Sequence, residues 1–258
     1  MKAMILAAGL GTRLRPLTSD RPKALVEVGG RTLLEITLCR LRSFGIQEVI
    51  INVHHFADMV LEYLKTNGNF GMGIEVSREK VLLDTGGGLK KAAHFFWDDS
   101  GGQDEPFILH NVDVISTIDL DRMMQFHNER KALATLAVQR RETSRYLLFD
   151  QELYLCGRRR GEQGSDVVRD CELPEALAFS GIHIISPRLL GMMTEEGVFS
   201  IITSYLRLAG QGESVQAFRA DEYYWRDLGR PENVAQAELD LKNKVIPEIP
   251  HSALRDPS

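Results

Sequence analysis

The 258-residue sequence contains no long hydrophobic run, and nothing in it approaches the roughly 18 apolar residues that a membrane-spanning helix needs. Its opening, MKAMILAAGLG, has only a short apolar stretch. Arg13 and Arg15 then stand where a secretory leader would place small residues before a cleavage site, so we expect the opening to be part of the fold. Cysteine is scarce: Cys39, Cys156 and Cys171 form no CxxC pair and have no histidine at metal-ligand spacing. That pattern indicates neither a disulfide framework nor a zinc site, and it suits a reducing cytoplasm. Positive charge is not in excess either. A formal net charge of -5 argues against a general nucleic-acid-binding surface, so any anion site must be assembled from a few placed cations. Two familiar nucleotide-binding motifs are also missing: no G-x-x-x-x-G-K-[ST] string occurs, and the G-x-G-x-x-G pattern begun by Gly9 and Gly11 ends on Leu14.

What is present is an ordinary globular composition, 43% hydrophobic and 26% charged. Over the first half, apolar runs of strand length alternate with amphipathic helical stretches, the signature of a largely parallel α/β sheet. KAMILAAG, EVIINV, MGIEVSRE, PFILHNVDVI and LATLAVQ read as strands. LLEITLCRLRSFG, FADMVLEYLKTNG and DLDRMMQFHNER read as helices, the last with Asp119 as its N-cap, and LLDTGGGLKKAAHFF reads as a loop opening into a helix. From about Arg145 the pattern shortens to the strand-like pieces RYLLF and LYLC, separated by the polar stretch GRRRGEQGSD. ALAFSGIHII, VQAFRA and YYWRDLG follow as strands; PRLLGMM, SIITSYLRLAG and PENVAQAELDLKNK follow as helices, and the tail VIPEIPHSALRDPS is expected to be poorly packed.

The first strand releases GLGTRLRP. Glycines let a backbone approach a ligand closely, consecutive N–H groups can form an anion nest, and Arg13 can pair with phosphate. On glycine spacing alone, a strand-to-helix turn with solvated arginines fits as well. The continuation separates the two readings. G-x-G-T-R-L-x-P-L-T followed by R-P-K-A-L-V resembles the amino-terminal signature of the sugar-1-phosphate nucleotidylyltransferases, and NVHHFAD, DTGGGL, NVD, FSGIHIISP and WRDLGRPEN extend the resemblance along nearly the whole chain. It is greatest toward the short enzymes acting on mannose-1-phosphate, N-acetylmuramate-1-phosphate or heptose-1-phosphate. Two positions depart from the pattern: Glu27 replaces the usual proline after KALV, and Val112 replaces the usual glycine before the metal-binding aspartate. Neither change removes a chemical group.

The resemblance implies a GT-A-like, Rossmann-like αβα sandwich with a central mixed, mainly parallel sheet. It also implies one domain over residues 1–245, with a nucleotide-binding half over about 1–140, a sugar-phosphate half over about 141–245, and a tail at 246–258. The implied reaction is attack of a sugar-phosphate oxygen on the α-phosphorus of a nucleoside triphosphate, with pyrophosphate leaving. That nucleophile is already anionic, so the work is positioning and charge neutralisation. Arg13 and Lys23 fall at the family's cationic, triphosphate-contacting positions, and Asp113 and Asp227 at its Mg²⁺ pair. The same resemblance nominates Leu6, Ala7, Ala8, Gly9, Gly11 and Thr12, with Asp84, Thr85, Gly86 and Asn111, for the nucleotide, and Ser180 and Gly181 for the sugar phosphate.

Blander readings stand beside these. Lys23 can be a surface lysine, Asp113 a turn cap, Asp227 the partner of Arg226 or Arg230, and Gly181 a strand glycine at a bulge. DTGGG can be a mere helix entry, and Arg15 and Arg21 solvated arginines. Asn52 and His54 sit at strand ends where α/β sheets bind ligands, but a lone histidine is more often structural. The Arg158 to Arg160 run fits a sugar-phosphate contact and an exposed hairpin equally. The expected partners are a nucleoside triphosphate and a sugar 1-phosphate, with no nucleic acid and no membrane. The rival functions are cytidylyl transfer to phosphocholine or another non-sugar phosphate, and a catalytically silent regulatory subunit.

Overall fold

In β1 (Lys2–Leu6) the apolar residues Ala3, Met4 and Ile5 are wholly buried, as a strand covered on both faces requires. The computed structural model of the chain describes residues 1–97, 105–161 and 164–246. After β1 come a short hairpin of β2 (Glu27–Val28) and β3 (Arg31–Thr32), then α1 (Leu33–Ser43), β4 (Glu48–Val53), α2 (Ala57–Thr66) and β5 (Gly73–Arg78). β4 pairs in parallel with β1, setting Ile5 opposite Ile51 and Leu6 opposite Asn52, and β5 pairs in parallel with β4. Parallel neighbours require crossovers, which α1 and α2 supply. The start of α1 is fixed by Thr32, whose Oγ1 accepts the Glu35 N–H at 3.1 Å, a cap worth about 1 kcal/mol.

The chain forms two compact units that are interleaved in sequence. The first comprises Met1–Leu82, His110–Ile118 and the segment from Tyr224 onward; the second comprises Leu83–Leu109 and Asp119–Tyr223. The first holds the elements above together with β7 (Val114–Ser116), β14 (Trp225–Asp227) and α7 (Pro231–Lys242), begun by Pro231. The second holds α3 (Asp84–Lys91), α4 (Leu120–Arg130), β8 (Ala134–Gln139), β9 (Arg145–Phe149), β10 (Leu155–Arg160), β11 (Ser165–Val167), β12 (Glu175–Ile185), α5 (Arg188–Met192), α6 (Ile201–Gly210) and β13 (Val215–Arg219). β6 (Phe107–Asn111) begins in the second unit and ends in the first. β8, buried along its whole length, lies between antiparallel β12 and parallel β13, while β12, β9, β10 and β11 succeed one another antiparallel. The result is the expected mixed α/β architecture, with parallel pairing dominant in the first unit.

Two expectations about elements need correction. PFILHNVDVI is two strands: β6 stops at Asn111, the Val112 N–H donates to Leu6 O at 3.2 Å, and β7 leaves to pair with β14. GRRRGEQGSD is not simply a separator, because Gly157–Arg160 belong to β10 and Ser165 and Asp166 to β11. Cross-strand chemistry compensates for the polar composition: Arg158 Nε donates to Asp166 Oδ2 at 2.8 Å, and the Arg159 guanidinium lies 4.7 Å from the Tyr146 ring centroid. In the tail, Val245 is exposed and Ile246 buried; residues 247–258 lie outside the described residues.

Candidate active site

The strand-to-loop passage after β1 owes its shape to Gly11 and Leu14. Gly11 has φ +63°, a left-handed conformation, and a Cβ there would stand 3.0 Å from Thr18 Cγ2 and 3.3 Å from Lys23 Cβ. Its carbonyl accepts the Leu14 N–H at 2.9 Å and the Thr18 hydroxyl at 2.8 Å. Leu14, at the position where a dinucleotide fingerprint carries its third glycine, is 0% exposed. Gly9, Thr12 and Arg13 lie exposed above this anchored turn. Lys23 opens a single 3₁₀ turn, Lys23–Leu25, after extended Pro22, and the buried Ala24 beside it fixes the backbone. Arg21 pairs at the surface with its neighbour Asp20.

Two acids far apart in sequence become neighbours through the β7–β14 ribbon. Asp227 lies opposite Val114, and the Leu228 N–H donates to Asp113 O at 2.8 Å. Lys23 Nζ makes an ion pair with Asp113 Oδ2, with both side chains 13% exposed. Asp227 Oδ1 accepts the Gly229 N–H at 2.6 Å. Gly229 also decides how closely the cluster packs: a Cβ on it would lie 2.7 Å from Asp227 Oδ1 and 3.1 Å from Arg13 Nη2. Arg13, Lys23, Asp113 and Asp227 are thus gathered in the first unit.

Burial first, and the charge of Asp113 second, raise the Asp227 pKa above the usual carboxylate range; the Gly229 N–H, Lys23 and Arg13 oppose this rise. Such an acid pair gains from an added cation. Among the described residues no three His, Cys, Asp or Glu side chains cluster as metal ligands. Two carboxylates still suit Mg²⁺, which commonly takes one or two protein carboxylates and completes its shell with water and phosphate oxygens. The surface-pairing reading of Asp227 does not hold: Arg226 is engaged by Asp240 at 2.8 Å, and Arg230 by Glu232 at 3.6 Å.

The backbone nominated for the nucleotide is partly committed to the protein. Leu6 O accepts from Val112, and the Ala7 N–H donates to Asn52 Oδ1 at 2.8 Å. Asn52 is in turn oriented by Glu79, whose Oε1 accepts from Asn52 Nδ2 at 2.7 Å; the two residues are 2% and 5% exposed. His54 Nδ1 donates to the Glu79 carbonyl at 2.8 Å, a structural role. Glu79 did not emerge as a site-supporting residue from the sequence, because no motif marks it; Thr18 and Gly229 lie inside quoted motifs, but their supporting roles come from contacts with Gly11 and with Asp227 and Arg13 that the motifs do not encode. Asn111 ends β6, and its carbonyl accepts from His110 Nδ1 at 2.8 Å. His110 Nε2 has no partner among the described residues, and burial, with the Arg40 charge second, pushes the His110 pKa down to about 4.

In the second unit, Asp84 has φ +60° and its Oδ1 accepts the Thr85 N–H at 2.6 Å. The glycines that follow are explained by packing. Phe199 O accepts the N–H groups of both Gly86, at 2.9 Å, and Gly87, at 3.2 Å, and a Cβ on Gly86 would overlap the Phe199 ring. Thr85 Oγ1 accepts the Ile201 N–H at 3.0 Å, helping to cap α6. The DTGGG loop is therefore a clasp on the segment entering α6. Ser180 is fully buried, and Gly181, with φ +75°, occupies the break in β12–β8 register between Phe179 and His183, so the bulge reading describes its backbone.

Residues 2–244 match the family described as Nucleotidyl transferase. The chain is 32% identical over 246 residues to an N-acetylmuramate alpha-1-phosphate uridylyltransferase of Caulobacter vibrioides, covering 93% of this chain and 96% of that one. It is 30% identical to a mannose-1-phosphate guanyltransferase of Yarrowia lipolytica, covering 90% of this chain and 62% of the relative. The fold is shared with HddC of Yersinia pseudotuberculosis, whose structure was solved with GMP-PN, at TM-score 0.70 and 22% identity, covering 93% and 99% of the two chains. A loop held over a buried leucine, a lysine paired with a strand-end aspartate, and a second aspartate set beside it by a short ribbon thus occur in a chain that belongs to the nucleotidyl transferase family.

Proposed function

We propose that the protein transfers a nucleotidyl group from a nucleoside triphosphate to a sugar 1-phosphate, releasing pyrophosphate and forming a nucleotide sugar. The gathering of Arg13 and Lys23 with Asp113 and Asp227 in one cluster carries this reading. A sugar-phosphate oxygen attacks the α-phosphorus in line, and because it is already anionic no general base is needed. Arg13 presents a planar fork to phosphate oxygens, and Lys23 a compact charge. Asp113 and Asp227 would hold Mg²⁺, which on binding neutralises charge on the reacting phosphates. Gly9, Gly11 and Thr12 supply backbone groups beside Arg13. Asp84, Ser180 and Gly181 are assigned to substrate on the family resemblance. We place the reaction in the cytoplasm, where nucleoside triphosphates and free thiols both belong. Among the described residues no helix is long and apolar enough to cross a membrane.

The near full-length relative directs attention to N-acetylmuramate 1-phosphate and UTP. The test is a matrix of four nucleoside triphosphates against N-acetylmuramate, mannose and glucose 1-phosphates with Mg²⁺, scored by pyrophosphate release, with phosphocholine and CTP as the non-sugar arm. Turnover with a sugar 1-phosphate is expected. Turnover only with phosphocholine, or none anywhere, overturns the proposal, the latter in favour of a silent binding subunit.

A further inference from the structure

Cys156 and Cys171 stand 15 residues apart in sequence, yet their sulfurs lie 2.7 Å from one another. All three cysteines are free thiols, and Cys39 lies buried in α1 of the first unit. The approach has a local cause. The β10–β9 register shifts between Leu155 and Gly157, so Cys156 is the extra, unpaired residue of a β-bulge, a device that re-aims a side chain. On the other side of β10, Cys156 O accepts the N–H groups of Val168 at 2.8 Å and Arg169 at 3.3 Å, which ties down the chain just past β11 and returns it toward Cys171. Cys156 is buried and Cys171 half-buried.

We infer that Cys156 and Cys171 form a redox-active dithiol that closes to an intramolecular disulfide in exchange with a small-molecule disulfide such as oxidised glutathione. The less buried partner reacts first: the Cys171 thiolate attacks one sulfur of glutathione disulfide, forming a mixed disulfide and expelling one glutathione thiolate. The Cys156 sulfur then attacks Cys171 Sγ, loses its proton to solvent and expels the second glutathione. Two protein thiols are oxidised and one disulfide is reduced to two thiols. Burial first, and the Cys171 thiol second, push the Cys156 thiol up to about 12, which assigns the entering step to Cys171 and the resolving step to Cys156. The closed ring contains β11 and fastens the segment that follows β11 to the bulge at the start of β10.

The full-length protein is equilibrated across glutathione redox buffers, quenched with acid, alkylated under denaturing conditions and mapped by peptide mass. The expected result is a cross-linked Cys156–Cys171 peptide lacking two hydrogens, about 2 Da, with Cys39 alkylated and the thermal midpoint raised by several degrees in the oxidised form. Cys171→Ser and Cys156→Ser should each abolish the cross-link, and Cys156→Ser should instead accumulate glutathione on Cys171. Circular dichroism confirms that each variant is folded, and Cys39→Ser serves as the control that leaves the cross-link intact. Full alkylation of both thiols in oxidised glutathione, or a stable wild-type mixed disulfide at Cys171 beside a free Cys156, overturns the inference. Neither readout depends on enzymatic activity.

Discussion

Lys23 Nζ is paired with Asp113 Oδ2 across 90 residues of sequence, with both side chains largely withdrawn from water. The pair unites a cation proposed for the triphosphate with an acid proposed for the metal, and in this structure each neutralises the other. Removing one member should therefore affect folding as well as turnover. We expect Lys23→Ala to lose about 2–3 kcal/mol in urea melts, because it leaves the Asp113 carboxylate uncompensated beside Asp227. Lys23→Ala combined with Asp113→Asn should regain much of that stability while pyrophosphate release stays lost. Full activity in either variant removes Lys23 from the chemistry.

Asp227→Asn separates charge from shape. The carboxylate sits against Asp113 and is raised above its usual range by burial and by that neighbour, so the neutral amide should fold at least as well as the carboxylate. Catalysis should fall by about 100-fold or more if the pair holds a metal. Titrating Mg²⁺ into both proteins by calorimetry, with nucleotide present, should show weakened binding in the variant. Unchanged binding and rate exclude Asp227 as a ligand.

Gly229→Ala probes the distance between the Asp227 and Arg13 side chains. The added methyl would fall 2.7 Å from Asp227 Oδ1 and 3.1 Å from Arg13 Nη2, so one of them must move. A displacement of this kind in a positioned site can lower kcat/KM by about 100-fold. Thermal stability should change little by comparison, and a variant with wild-type kcat/KM would show that the two groups need not be held so close.

Asn52→Asp should destabilise the protein by setting a second carboxylate against buried Glu79, while keeping an acceptor for the Ala7 N–H. Adding Glu79→Gln restores a donor facing position 52. Recovery of both the urea midpoint and nucleotide KM in the double variant is the expected outcome; recovery of neither shows that the network does not hold the loop.

Acid should weaken the fold between about pH 6.5 and pH 4 through two histidines. His110 and His127 are both pushed down to about 4 from 6.5, each first by burial, so the unfolded chain binds their protons while the folded chain does not. Stability thus rises with pH through this window and falls on acidification, by about 3 kcal/mol per histidine at the limit. His127→Gln can retain a polar contact to Thr135 or Ser186, which His127 reaches at 2.9 and 3.1 Å, and it should flatten the dependence measured by urea unfolding at pH 7 and pH 4.5. An unchanged slope excludes His127 as a source.

Where local chemistry decides an element, the sequence was a sufficient guide. EVIINV is strand β4 over all six residues, and Asp119 caps α4 by accepting the Arg122 N–H at 3.0 Å. Long-range decisions were not legible. The nearness of Asp113 and Asp227 depends on the register of β7 with β14, which no spacing encodes. The glycines of DTGGG look like a ligand loop, yet the Thr85 side chain meets its backbone partner 116 residues downstream, and Phe199 fills the space beside Gly86. Polar Gly157–Arg160 conceal a strand because their compensation lies across the sheet, on Asp166 and Tyr146.

Leu14 gives the opening loop a property that a glycine there would not. The side chains of Arg13 and Arg15 emerge on either side of a residue sunk completely into the hydrophobic interior. The loop is therefore a mould cast onto the core rather than a flap hinged above it. An interior truncation such as Leu14→Ala should register at the bench as looser nucleotide binding, even though the leucine itself is sealed from solvent.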